Sequence, residues 1–335
     1  MDEILDVDLL AFESGTAAER NAVIDGVMRS LTTGFVYTRT DLSDALLDDT
    51  YGALSEFFAL DAEAKNSYVA KGSMSQAGYT GLLVETAAVS DTPDWKEMLN
   101  WGSPLAGGHP LRTRFPHRYS EPVLPERHLP GSAEILLEFH DRLVEVQTRF
   151  LRIIAVGIGA DEHFFDTMAQ NGSHLTRAIR YPPMSAAPGG GTQGHVWAEE
   201  HGDINLITAL PRATARGLQV MVGEAWINAD PPDGHVIINT GIMLEHLTNG
   251  LIPVGWHRVV ADPDETGERL SVVQFCHPTP WTILTPAQST VNEDRPLRYP
   301  AIAASDRLDQ ALWDINLVED GSRIRTQADS SPPTH

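Results

Sequence analysis

The triplet His201-Gly202-Asp203 puts an imidazole and a carboxylate two residues apart. In an alternating strand, residues at that spacing point to the same face, so both groups reach one point. Taken alone the triplet says little. With 13 histidines and 46 acidic residues, chance supplies one or two such pairs, and a single histidine is more often a hydrogen-bonded core or surface residue than a ligand. Two motifs further along the chain give it weight. After 53 intervening residues comes Gly255-Trp-His257-Arg-Val, a histidine inside a predicted strand, and 12 residues later Arg269-Leu-Ser271 opens another. Two histidines and one carboxylate on one face of an iron(II) ion leave adjacent positions for a chelating cosubstrate and dioxygen. Arg269 and Ser271 again share a strand face, and a guanidinium fork beside a hydroxyl suits a carboxylate held inside a barrel.

A competing motif is Gly189-Gly-Gly191-Thr-Gln-Gly194, which satisfies the GxGxxG pyrophosphate fingerprint. That fingerprint works between a strand and a helix, whose N-terminal amides face the phosphate. Here Pro182, Pro183 and Pro188 precede it, and the residues after it are strand-like or loop-like. It reads as a flexible loop.

The elements that must position these residues fall into two textures. Thr16-Ala-Ala-Glu19 is a capping box that opens a helix reaching about Leu31. Gly34-Phe-Val-Tyr37 comes next as a short buried strand, and Leu47, Tyr51, Leu54 and Phe58 recur at helical spacing. The longest helix is expected from Ser132, where Leu136, Phe139, Leu143, Val146, Phe150 and Ile153 alternate at +3 and +4. From Leu175 onward short strands are expected at Leu175–Tyr181, Ile204–Leu210, Gly217–Val222, Ala225–Asn228, His235–Asn239, Trp256–Val260 and Leu270–Cys276. Turn clusters such as Pro231-Pro-Asp-Gly234 and Asp262-Pro-Asp-Glu-Thr-Gly267 separate them. Regular strands with turn punctuation indicate a sandwich or barrel rather than βαβ units. A last helix covers Ser305 to Asn316, and the tail from Gly321 frays. One domain is expected over 1–335: a helix-rich region (1–165), a β core with the metal site (166–290), then a C-terminal helix and tail (291–335).

Composition narrows the function. The 335 residues carry 46 acids against 24 basic side chains, a net charge of −22. Nucleic acid is bound chiefly by Lys and Arg, and anionic membrane surfaces attract the same residues, so neither is an expected partner. Cys276 is the one cysteine, which rules out an internal disulfide and any CxxC site. The acidic N-terminus is unlike a signal peptide, and Arg152 interrupts the best apolar run. A cytoplasmic protein is expected, and, with no heptad seam, a monomer.

The ordered set resembles the isopenicillin N synthase-like branch of the iron(II)/2-oxoglutarate-dependent oxygenases. The resemblance runs over nearly the whole chain: Gly34-Phe-Val-Tyr37, Phe57-Phe-Ala-Leu-Asp-Ala-Glu-Ala-Lys65, Gly78-Tyr79, Asp94-Trp-Lys-Glu97, Arg177-Ala-Ile-Arg-Tyr181-Pro-Pro, then the HxD, the distal histidine and the RxS. It implies a mainly β fold with flanking helices, a distorted double-stranded β-helix (a cupin-like jelly roll) whose mouth holds the metal. His201, Asp203 and His257 would be the iron ligands. Arg269 and Ser271, with Tyr181 as a further donor, would hold the distal carboxylate of 2-oxoglutarate. Three departures stand out: Ile179 where plant members often carry Asn, Gly202 where a hydroxyl residue is common, and 12 residues from His257 to Arg269 where about ten is usual. None removes a ligand.

The chemistry implied consumes 2-oxoglutarate and dioxygen, gives succinate and carbon dioxide, and oxidises an unactivated C–H bond of a small molecule. Hydroxylation is the default outcome, with desaturation, epoxidation and ring closure sharing the early steps. Arg180, His195, Trp197, Met243, Phe275 and Trp281 are substrate-pocket candidates by position, each equally readable as core or rim packing. Trp256 should alternate away from His257 into the core. Two other readings fit the same residues: an isopenicillin N synthase-type cyclase that uses iron and dioxygen without 2-oxoglutarate, and a non-catalytic barrel that binds a small molecule.

Overall fold

The structure is a computed structural model and describes residues 3–73, 75–84, 93–188, 197–261 and 267–314. Strands run in chain order as β1 Asp6–Asp8, β2 Phe35–Arg39, β3 Gly78–Thr80, β4 Glu97–Trp101, β5 Leu175–Tyr181, β6 Ala198–His201 and β7 Ile207–Leu210. They continue as β8 Leu218–Val222, β9 Ala225–Asn228, β10 His235–Thr240, β11 His257–Val259, β12 Arg269–Cys276, β13 Ile283–Leu284 and β14 Ile302–Ala303. Eight form one sheet, in the order β1-β2-β10-β7-β12-β5-β4-β3, and a four-stranded sheet, β6-β11-β8-β9, faces it. This pair of sheets is the double-stranded β-helix.

The N-terminal elements form for local reasons. The helix Ala17–Ser30 starts at the predicted capping box, with Thr16 and Glu19 exchanging hydrogen bonds. The helix Ser132–Gly157 lacks a capping side chain at Gly131, and the Glu126 carboxylate accepts the Gly131 and Ala133 amides instead. Its apolar stripe, Leu136, Phe139, Leu143, Val146, Phe150 and Ile153, is wholly buried against the outer face of the large sheet. Truncating one of these, as in Leu143→Ala, costs about 2–5 kcal/mol. Inside the sandwich a second cluster forms from Phe35, Met98, Ile179, Tyr181, Trp197, Val220, Ile237 and Val259.

Period-two alternation sorts chemistry from core. On β12, Arg269, Ser271, Val273 and Phe275 line the interior, while Leu270, Val272 and Cys276 join the outer core. On β5, paired antiparallel with β12, Arg177, Ile179 and Tyr181 face inward. The strands β1, β3, β4, β6, β13 and β14 are additions to the expected ones: β4, all five residues buried, has no polar alternation to reveal it. The last helix spans Ala304–Asp314, and its expected end at Asn316, the tail, His195 and the Gly189–Gly194 loop lie outside the described residues. Among the described residues, no helix is long and apolar enough to cross a membrane.

Candidate active site

His201, Asp203 and His257 converge. Each offers one ligand atom, and these atoms lie within 4.8 Å of one another. His201 and His257 stand opposite each other in the β6–β11 pairing, with ring centroids 4.3 Å apart. Asp203 arrives differently from the sequence expectation. Strand β6 ends at His201, so Asp203 lies just past the strand rather than within it. Gly202 between them packs tightly, because a Cβ there would stand 2.5 Å from Val254 Cγ1. The absence of a hydroxyl residue at this position is therefore a packing requirement of this chain.

The imidazoles are oriented by carbonyls that can only accept. His201 Nδ1 donates to Glu199 O at 2.7 Å and His257 Nδ1 to Gly255 O at 3.0 Å. Both Nε2 lone pairs are thereby left as ligand atoms. Gly255 can hold its carbonyl there because Gly34 (φ 81°) lies against it, where a Cβ would come within 2.5 Å of Gly255 Cα. On Asp203, Thr208 Oγ1 and Asn239 Nδ2 both donate to Oδ2, leaving Oδ1 for a cation. Burial, reinforced by the neighbouring His257, pulls His201 down to about 4, so it is the neutral, metal-binding form at pH 7. Burial works against ionising Asp203, but the two imidazoles and the Thr208 and Asn239 bonds outweigh it and hold its carboxyl below the usual range. Two imidazole nitrogens and one ionised carboxylate are a donor set that fits Fe(II).

The triad opens on a cavity of about 70 Å³. Phe275, Val273, Ser271 and Arg269 line it along β12. Arg269 is 1% exposed. Its Nη1 donates to Ser271 Oγ at 2.8 Å, its Nε donates to Ala215 O at 3.1 Å, and its guanidinium lies 5.2 Å from the centre of the Tyr181 ring. Among the described residues no carboxylate pairs with it. Burial pushes this guanidinium below its ordinary value.

Of the substrate-pocket candidates, Phe275 lines the cavity. Arg180 does not: with Tyr181 inward, alternation turns it outward, onto Glu97 at 2.6 Å and Glu268. Trp197 is fully buried, donates to Pro182 O at 2.9 Å and packs behind Tyr181. Met243 sits in the core on the helix Ile242–Leu247, and Trp281 stacks on Phe115. Trp256, expected in the core, is 45% exposed, because residue 256 precedes β11 on the rim of the four-stranded sheet. Phe35, Lys96, Arg177, Thr208 and Asn239 also line the cavity, beyond the sequence-predicted set. Phe35, Lys96 and Arg177 stand within the family-like motifs, and their strand parity is the available signal. A larger cavity, about 560 Å³, includes Leu175 and His277, the next inward positions of β5 and β12.

The family model described as "non-haem dioxygenase in morphine synthesis N-terminal" matches residues 4–122, and that of the "2OG-Fe(II) oxygenase superfamily" matches residues 172–278. Hyoscyamine 6-dioxygenase of Hyoscyamus niger is 29% identical over 289 residues, covering 83% of this chain and 78% of the relative. A full-length Neurospora crassa protein solved in complex with alpha-KG, that is 2-oxoglutarate, superimposes with a TM-score of 0.80 at 25% identity, over 92% of this chain and 95% of that one. A solved 2OG-Fe(II) oxygenase family protein of Caulobacter crescentus is 30% identical with a TM-score of 0.81, over 94% of this chain and the whole of the other. The sequence resemblance thus holds at the level of the complete fold: this chain belongs to the 2-oxoglutarate/iron(II) oxygenases and is an enzyme of the dioxygenase type, with Fe(II) as its metal and 2-oxoglutarate as its cosubstrate.

Proposed function

We propose that this enzyme oxidises an unactivated C–H bond of a small organic molecule, most simply by hydroxylation, with His201, Asp203 and His257 holding the iron and Arg269, Ser271 and Tyr181 holding the distal carboxylate of 2-oxoglutarate. The observation that carries the cosubstrate assignment is Arg269: a buried guanidinium without a carboxylate partner among the described residues, at the end of a cavity that starts at the triad. Burying a charge without a counter-charge costs several kcal/mol, and an anionic ligand offsets it. Bound Fe(II) with 2-oxoglutarate and dioxygen supplies the oxidant. The chain's own residues supply position. Glu199 and Gly255 carbonyls aim the imidazoles, Thr208 and Asn239 fix the carboxylate, and Phe35 and Phe275 wall the cavity against water. Specialised metabolism is the setting suggested by relatives such as the Hyoscyamus dioxygenase.

The test is anaerobic addition of Fe(II), then 2-oxoglutarate, to the metal-free protein. A metal-to-ligand charge-transfer band that requires both additions supports the reading. Turnover of a substrate with iron and dioxygen alone would replace it with the cyclase-type chemistry.

A further inference from the structure

Lys96 lies one residue before β4, at the position that continues the β4–β5 register opposite Tyr181; Arg269 is Tyr181's partner on the other side. Lys96, Tyr181 and Arg269 therefore form one cross-strand row, and all three line the cavity. The ammonium is ion-paired to Asp94 at 2.7 Å, with Lys96 12% and Asp94 4% exposed. The neighbouring row carries Met98, Ile179 and Ser271, and Ile179 offers no donor there.

Resting on the cosubstrate site proposed above, we infer that Lys96 is a further positioning residue for 2-oxoglutarate: a second cation for its distal carboxylate, across Tyr181 from Arg269. A carboxylate gains more from two fixed cationic donors than from one, and a lysine held by a buried aspartate is pre-oriented at little entropic cost. Asp94 also keeps the row from carrying two uncompensated buried cations when the cosubstrate is absent. The row then selects a dicarboxylate over a monocarboxylate 2-oxoacid.

The test measures binding calorimetrically under anaerobic conditions, with Mn(II) in place of iron, for 2-oxoglutarate and for 2-oxovalerate, which lacks the distal carboxylate. Lys96→Met should weaken 2-oxoglutarate at least tenfold while leaving 2-oxovalerate and Mn(II) affinity unchanged, and Lys96→Arg should stay within about threefold of wild type. Because Lys96→Met strands Asp94, the double variant D94N/K96M removes both charges and should show the same loss in a folded protein. Asp94→Asn alone should bind 2-oxoglutarate as tightly as wild type or more so. Unchanged 2-oxoglutarate binding in D94N/K96M overturns the inference, as does equal weakening of both 2-oxoacids. If the wild type itself fails to prefer 2-oxoglutarate over 2-oxovalerate, the Arg269 assignment fails instead.

Discussion

Replacing Arg269 by Gln removes a charge that the fold buries with no carboxylate partner among the described residues. In the ligand-free protein this removal costs little, since Gln still reaches polar neighbours such as Ala215 O and Ser271; a lone buried cation is itself destabilising, so the ligand-free variant should be at least as heat-stable as wild type. With 2-oxoglutarate bound the balance reverses. Breaking one side of a buried pair costs about 3–5 kcal/mol, a weakening of roughly a hundredfold or more. At a 2-oxoglutarate concentration a hundred times the wild-type Kd, ligand linkage stabilises the fold by about 2.7 kcal/mol; after a hundredfold loss it is about 0.4 kcal/mol. Thermal melts of both proteins with Mn(II), with and without 2-oxoglutarate, read this directly. The wild-type Tm should rise by roughly 4 °C and the variant's by less than about 1 °C. Mn(II) alone should shift both equally. A variant that keeps the wild-type rise on adding 2-oxoglutarate would refute the assignment of Arg269 to the carboxylate.

The metal assignment makes a sharper prediction among 13 histidines. His201→Ala and His257→Ala should each lose iron binding and iron-dependent succinate formation, whereas His235→Ala, on a residue paired with Asp6, and His246→Ala, on a residue stacked on Tyr299, should keep both, as measured by iron stoichiometry and succinate release. Asn239→Ala frees Asp203 of one of its two orienting bonds and should weaken Fe(II) affinity about 10- to 100-fold in a competitive chelator titration, with Tm of the metal-free protein changing less than metal affinity. Acid stability draws on His140, His174 and His277, which burial pushes down to about 3, about 4 and about 3. Their folded values lie below the unfolded value near 6.5, so the unfolded chain binds more protons between those limits. The stability of the neutral forms is complete above about pH 6.5 and declines on acidification, by about 2 kcal/mol per histidine at pH 5, which urea melts at pH 7 and pH 5 should show.

The inner face of the barrel is legible in the sequence because strand chemistry repeats every second residue. From Arg269-Leu-Ser271 alone it follows that Val273 and Phe275 share that face, and from Tyr181 that Arg177 does too and Arg180 does not. Placing Arg180 in the pocket by its position in the motif is a misreading that this parity corrects. The need for glycine at 202 is invisible in the sequence, because the side chain that crowds it, Val254, is 52 residues away. Strand β4 is hidden for a similar reason: Glu97 reads as a surface acid, yet it is 1% exposed and shared by Lys65, Arg180 and Tyr79. The residues that steady the triad, Thr208 and Asn239, come from β7 and β10, where only tertiary pairing makes them neighbours.

Strand β12 carries two messages in one run of eight residues, cavity-lining side chains at odd numbers and buried packing at even numbers. Substitutions can alter either message separately. A deletion or insertion within it cannot, since shifting the frame by one residue would drive Leu270 and Val272 toward the cavity and Ser271 into the packing beneath the long helix. Length drift among relatives must therefore collect outside the strand. The spacing from His257 to Arg269 has that freedom: β11 ends at Val259 and β12 begins only at Arg269, so a change of length between the two leaves the reading frame of either strand fixed.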